Sequence, residues 1–256
     1  MAGPQATYRL TLAYLGGAYG GWQRQANTVA VQEVVETALE RLAGEPVRLV
    51  AASRTDAGVH AAGQEAHVRM SRPWPARALV EGVNRHLPAD VRVLRASEVA
   101  ADFHARGWAV AKEYHYALSR EPVLSPFAAA TTVRISPRHD LERFRRASAL
   151  LEGRHDFRAF ARAGGSHQQT WRRVFRADAL ERGPSGLVFR VIGDGFLRGM
   201  VRALVGTMLW VAAGRLTHEQ WAALLEGADR SQAGPSAPAR GLTLVRVFYP
   251  DQHATF

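Results

Sequence analysis

Asp56 is the side chain best placed to do chemistry in this sequence. It stands in the connector Ser53-Arg54-Thr55-Asp56-Ala57-Gly58-Val59-His60-Ala61-Ala62-Gly63-Gln64, between the apolar run Val47 to Ala52 and the strand-like run Gln64 to Met70. Arg54 precedes the carboxylate by two residues and Gly58 follows it by two. An Asp followed closely by Gly is also ordinary turn chemistry. The twelve-residue connector is longer and more apolar than a hairpin turn needs, because it carries Ala57, Val59, Ala61 and Ala62. Part of it therefore belongs inside the protein, and a carboxylate taken out of water needs a partner. The chemistry on offer is that of one ionised carboxylate beside a cation. Spacing alone leaves that reading level with a structural turn.

Other chemistry-bearing segments lie along the chain in a fixed order. They are Gly21-Trp22-Gln23-Arg24-Gln25, Asn84-Arg85-His86-Leu87-Pro88, Phe103-His104-Ala105-Arg106 and Lys112-Glu113-Tyr114-His115-Tyr116. Gly153-Arg154-His155-Asp156-Phe157, Gly195-Phe196-Leu197-Arg198 and Ala237-Pro238-Ala239-Arg240-Gly241-Leu242 follow. Together with Arg54-Thr55-Asp56-Ala57-Gly58-Val59-His60-Ala61, this series resembles the tRNA pseudouridine synthase I family from about residue 8 to about residue 250. Departures from the family pattern are Ser53 for Gly, Glu65 and Val68 for an apolar residue and Phe, Gly199 for Asn, and Tyr14-Leu15-Gly16 for Tyr-Asp-Gly.

The resemblance implies conversion of uridine to pseudouridine in the anticodon stem-loop of tRNA, at positions 38–40, with no cofactor and no metal. The reaction breaks the N1–C1′ bond, turns the uracil and rejoins it through C5. It needs an ionised carboxylate, a pocket for the detached base and a route for the C5 proton. By resemblance Asp56 is the nucleophile, Arg198 pairs with it, and Tyr114 packs on the uracil. A guanidinium within reach opposes the desolvation that would protonate the carboxylate, and a tyrosine hydroxyl can relay a proton. Read locally, Asp194 is a simpler partner for Arg198, and Tyr114 with Tyr116 on one face of an alternating strand is ordinary core. Arg54, Arg24 and Arg106 are the expected RNA contacts. A target base must leave its stack, at a cost of about a few kcal/mol, and a long cation beside the catalytic loop can fill the space or hold the flanking phosphate. For Arg24 and Arg106 a solvated loop charge is an equal reading. The family further implies a homodimer with tRNA spanning both subunits.

Composition agrees with an RNA partner. The 256 residues carry a net charge of +10, and Lys112 is the only lysine among 33 basic residues. Codon bias of a GC-rich genome produces the same arginine excess. The physical consequence stands either way, since the planar guanidinium pairs bidentately with phosphate oxygens. Nucleic acid ranks ahead of an anionic membrane as partner. Absence of cysteine excludes disulfides and thiolate metal sites. The first five residues lack the charged and apolar regions of a signal peptide. The longest apolar stretch, Ala203 to Ala213, is far short of the ~20 residues that cross a bilayer. The expectation is a cytoplasmic protein.

The elements that must position these residues follow from periodicity. Tyr8 to Tyr14 alternates as a strand, and Val29 to Ala43 carries a helical apolar face after Thr28 as N-cap. Strands Val47 to Ser53 and Gln64 to Met70 flank Asp56. A helix over Ala76 to His86 stops before Pro88, and a strand runs Val91 to Ala96. The order is βαββαβ, that of ferredoxin-like and RRM-like units. The second half repeats it with strand Glu113 to Ser119, helix Asp140 to Glu152, a polar loop Arg162 to Thr170, and strands Arg172 to Leu180 and Leu187 to Ile192. Helix Phe196 to Ala213, the loop Gly234 to Gly241 and strand Leu242 to Phe248 complete it. The fold class expected is α+β: two ferredoxin-like domains, residues 1–105 carrying the Asp loop and 106–256 carrying Tyr114 and Arg198. In the family their antiparallel sheets adjoin and leave a basic cleft.

Two other readings fail on particulars. Gly193-Asp194-Gly195 suggests a dinucleotide loop, but Arg198 occupies the third glycine's place and no acidic strand end follows. Ten histidines form no His-Glu-x-x-His and no Cys/His cluster. The real competitor is a non-catalytic RNA-binding protein of tandem RRM-like modules. It explains fold and charge but leaves Arg54-Thr55-Asp56 without a purpose, and the aromatic RRM signature is missing.

Overall fold

A computed structural model describes residues 5–162 and 169–250. The chain divides into two compact units, one running up to Val110 and taking in the stretch from Leu244, the other running from Ala111 to Thr243.

The first unit is built from β1 (Ala6–Tyr14), α1 (Val31–Ala43), β2 (Leu49–Ala51), β3 (His60–Met70), α2 (Ala76–Asn84) and β4 (Val91–Val99). β1 lies between β3 and β4, antiparallel to both, and β2 pairs antiparallel with β3. Alternation along β1 puts Tyr8, Leu10 and Leu12 in the core, with Val35 and Leu39 of α1 and Leu79 and Val83 of α2 equally buried. The helices approach closely because Gly82 has no side chain: a Cβ there would lie 2.7 Å from a Leu42 methyl. α1 starts two residues later than the expected Val29, and its N-cap is Ala30 rather than Thr28. Its first amides need no side-chain cap, because the Val31 and Gln32 N–H groups donate to the carbonyls of Gly21 and Trp22 at 3.1 and 3.0 Å. α2 ends at Asn84, whose amide clamps both backbone groups of Val93 at 2.8 and 3.0 Å.

The second unit comprises β5 (Ala111–Ser119), α3 (Pro126–Ala129), β6 (Val133–Arg134), α4 (Leu141–Ala149), β7 (Gly153–Asp156), β8 (Trp171–Arg182), β9 (Gly186–Gly193), α5 (Met200–Ala212) and α6 (His218–Leu225). Its antiparallel order is β5-β9-β8-β7, with β6 parallel to β5. Tyr116, Phe189 and Val191 of the sheet, Phe144 of α4, Leu204 and Met208 of α5 and Trp221 of α6 are all fully buried. The Trp221 indole N–H donates to the Ala147 carbonyl at 2.9 Å, tying α6 to α4. Periodicity misses α3, β6, β7 and α6. For α6 the signal was present: Thr217 and Gln220 form a reciprocal capping box. Of the polar loop read over 162–170, residues 163–168 lie outside the described part.

The last strand, β10 (Leu242–Phe248), departs from the contiguous 106–256 assignment. From Leu244 it belongs to the first unit, hydrogen-bonded beside β3. Gly63 permits this, since a Cβ there would stand 2.3 Å from the Val245 carbonyl oxygen. With partners on both sides, β3 starts at His60 rather than the expected Gln64.

Candidate active site

The loop holding Asp56 is tied down at almost every residue. The fully buried Gln64 amide takes both backbone groups of Ser53, accepting from its N–H at 3.2 Å and donating to its carbonyl at 2.7 Å. Thr55 is buried, its hydroxyl 2.8 Å from the Tyr14 hydroxyl, and its carbonyl accepts the Trp22 N–H at 3.1 Å. Beyond the carboxylate, the Val59 N–H returns to the Asp56 carbonyl and the Gly58 N–H donates to Tyr19, at 3.1 and 3.3 Å. Gly58 has φ +78°, a turn conformation that favours glycine. His60 accepts the Gly16 N–H on Nδ1 at 3.0 Å. Gly16 and Gly21 pass so close that a Cβ would lie 2.0 Å from the Val59 carbonyl oxygen and 2.6 Å from that of Thr55. Gly21-Trp22 thus acts as a brace for the Asp loop. Asp56 itself is half-buried, within reach of a ligand.

Arg54 and Arg106 share this unit. Arg106 follows a strap in which the Ala105 N–H donates to His67 Nδ1 at 3.1 Å and the Tyr249 hydroxyl donates to the Ala105 carbonyl at 2.8 Å. Partial burial and the positive charge of Arg54 lower the Arg106 pKa, so the two guanidiniums lie within electrostatic reach. Among the described residues neither is paired to a carboxylate. Arg24 is engaged: it stands 3.5 Å from Glu33 and 3.5 Å from Glu36, a carboxylate 1% exposed that also accepts the Leu49 N–H.

Tyr114 and Arg198 lie in the second unit. Tyr114, on β5 opposite Val191, is buried, with the Phe196 ring edge-on at 5.2 Å between centroids. Tyr116 shares that face but is plainly structural, its hydroxyl donating to the Pro238 carbonyl at 2.7 Å. Arg198 is exposed and precedes α5 rather than lying inside it, because α5 begins at Met200 and not at the expected Phe196. Gly199, the N-cap, has φ +72°. Gly and Asn are the residues that tolerate that conformation, which explains why one stands for the other here. The Asp194 carboxylate accepts the Arg173 N–H at 3.1 Å. Phe196 was not anticipated as a neighbour of Tyr114, although its position beside Gly195 in the same motif was visible.

Comparison with known proteins places this chain among the tRNA pseudouridine synthases, which isomerise uridine in tRNA. The family-wide profile described as tRNA pseudouridine synthase matches residues 11–106 and 147–250, and the chain belongs to that family. A protein of Syntrophotalea carbinolica named tRNA pseudouridine synthase A is 46% identical over 95% of this chain and 96% of its own length. One of the same name from Myxococcus xanthus is 44% identical over 95% and 92%. A solved chain of a Cbf5-Nop10-Gar1 complex aligns with TM-score 0.38 at 12% identity, over 94% of this chain and 50% of its own, too slight to define the fold. Among the described residues no helix is long and apolar enough to cross a membrane.

Proposed function

We propose that Asp56 is the nucleophilic carboxylate of this tRNA pseudouridine synthase and that its target uridines lie in the anticodon stem-loop. The observation that carries the reading is the Asp56 loop: a half-buried carboxylate on a backbone clamped by Gln64, Thr55, Trp22 and Gly21. A preorganised anion acts without rearranging at the moment of reaction. Breaking N1–C1′ and joining C1′ to C5 requires N1 to gain a proton and C5 to lose one. Tyr114, packed against Phe196, is the surface for the detached uracil and its hydroxyl the relay for that proton. Arg198 is the cation that pairs with Asp56 in the substrate complex. Arg54 and Arg106, within electrostatic reach of each other and unneutralised by any described carboxylate, suit a phosphate beside the extruded base. Arg24, already engaged by Glu33 and Glu36, contributes less.

The order β1-α1-β2-β3-α2-β4 supports a ferredoxin-like first unit, and we assign the second to the same class. We further read the protein as a cytoplasmic homodimer, a reading supported by the family resemblance. Asp56→Asn tests the central assignment. It is close to isosteric and removes only the anion, so pseudouridine formation in a tRNA transcript should fall by at least about a thousandfold while tRNA binding is kept, as expected for a nucleophile. Turnover within about tenfold of the parent protein would identify a different carboxylate.

A further inference from the structure

The edge of the second unit's sheet carries cations that the chemistry above does not use. β7 and β8 pair so that Arg154 lies directly opposite Arg173 and, one register on, His155 opposite Arg172. Side chains directly opposed across antiparallel strands share a face with Cβ atoms about 5 Å apart, and like charges there destabilise the pair. On one face each arginine is stacked on a ring. The Arg154 guanidinium carbon lies 5.4 Å from the Trp171 centroid and that of Arg173 lies 5.6 Å from Phe175. Arg154 and Arg173 are exposed, and so is Trp171, at 44%. The result is a stripe of two cations flanked by two aromatic rings.

The neighbouring arginines show what is unusual here. Arg176 and Arg190 both hold Asp178, at 2.7 and 2.6 Å, and Arg145 holds Glu181 at 2.7 Å. A guanidinium bound to a carboxylate has its in-plane donors in use. One stacked on a ring has committed only its face, so its N–H groups stay directed outward. Among the described residues no carboxylate pairs with the Arg154 or Arg173 side chain, and the Asp194 carboxylate at this edge takes the Arg173 backbone N–H instead. Two repelling cations stacked on rings, with no described carboxylate on their donors, match a polyanion whose oxygens bridge them.

We propose that the Trp171–Arg154–Arg173–Phe175 stripe binds the phosphate backbone of the tRNA substrate. The proposal rests on the tRNA-modifying function. β7 is three strands from β5, roughly 14 Å at the spacing of neighbouring strands. The stripe and Tyr114 therefore engage different nucleotides. The arginines bind phosphate, so they add affinity without reading sequence.

The test compares binding of an unmodified tRNA transcript across salt concentrations for two doublets that remove the same net charge. Arg154→Gln/Arg173→Gln should weaken binding on the order of tenfold near 0.1 M salt and flatten the log–log slope by about 0.7 to 0.9 for each phosphate no longer bound. Arg145→Gln/Arg176→Gln, which removes arginines already held by carboxylates, should change the slope by much less. Arg154→Lys/Arg173→Lys should recover most of the slope, which a purely structural role for the ring stacking does not predict. Unchanged affinity and slope in the first doublet overturns the proposal. Equal weakening in both glutamine doublets does so as well, because net charge alone then explains binding. If the parent protein binds the transcript but forms no pseudouridine, the functional reading fails while the binding comparison still judges the stripe.

Discussion

At the scale of single residues, the proposed pairing of Arg198 with Asp56 is tested by removing the cation. Arg198→Met removes a cation and keeps most of the apolar length. If that cation pairs with Asp56 in the substrate complex, its loss removes a positive charge from beside the reacting carboxylate. The single-turnover rate at saturating tRNA should then fall by about tenfold or more while tRNA binding changes little. A phosphate-binding Arg198 predicts the opposite pattern: weaker tRNA binding, a shallower salt slope and an unchanged saturating rate. That second result removes Arg198 from the active site.

At the scale of elements, the β1–β3 pair contains a test of burial. Glu65, 7% exposed, stands opposite Thr11, whose hydroxyl donates to Oε1 at 2.8 Å. Oε2 lies 3.5 Å from Arg9 Nε but accepts no hydrogen bond. Burial raises the Glu65 pKa, and the Thr11 hydrogen bond with the charges of Arg9 and Arg95 only partly opposes it. The folded protein therefore holds this proton more tightly than the unfolded chain does. The stability that the protonated form supplies is fully present below the unfolded value of about 4.3, and is lost as pH rises through the higher folded value. Glu65→Gln, neutral at every pH, should raise the urea midpoint at about pH 8 and match the parent protein near pH 4. An equal difference at both values would show that ionisation is not the cause.

At the scale of the molecule, a strand from the end of the chain completes the first unit. β10 pairs with β3 from Leu244, and the Tyr249 hydroxyl anchors the strap that carries Arg106. Ending the chain after Thr243 should therefore damage the first unit selectively. Amides of β3 should lose hydrogen-exchange protection by about tenfold or more while those of β8 and β9 keep theirs. Uniform loss in both units would show that they unfold as one. If Asp56 is the nucleophile, pseudouridine formation should fall as well, because its loop leads directly into β3.

The sequence by itself determined the features whose cause is local. Alternation places β1, β5 and β9, the apolar stripes place α1 and α5, and Pro88 bounds α2, because each rests on neighbours within a few residues. Asp56, Tyr114 and Arg198 were singled out through short motifs that resemble the family's, and the roles proposed for them rest on that resemblance. Tertiary structure decided what depends on distant partners. β7 and β6 are strands only because β8 and β5 supply their hydrogen bonds. α1 loses its expected cap because Gly21 and Trp22 satisfy its amides. The clamp on Asp56 joins Thr55 to Tyr14 and His60 to Gly16 across 41 and 44 residues. β10 meets β3 only after more than a hundred residues of intervening chain. Local periodicity records which face of a strand is apolar but not which strand will lie beside it, and backbone pairing is what that choice settles.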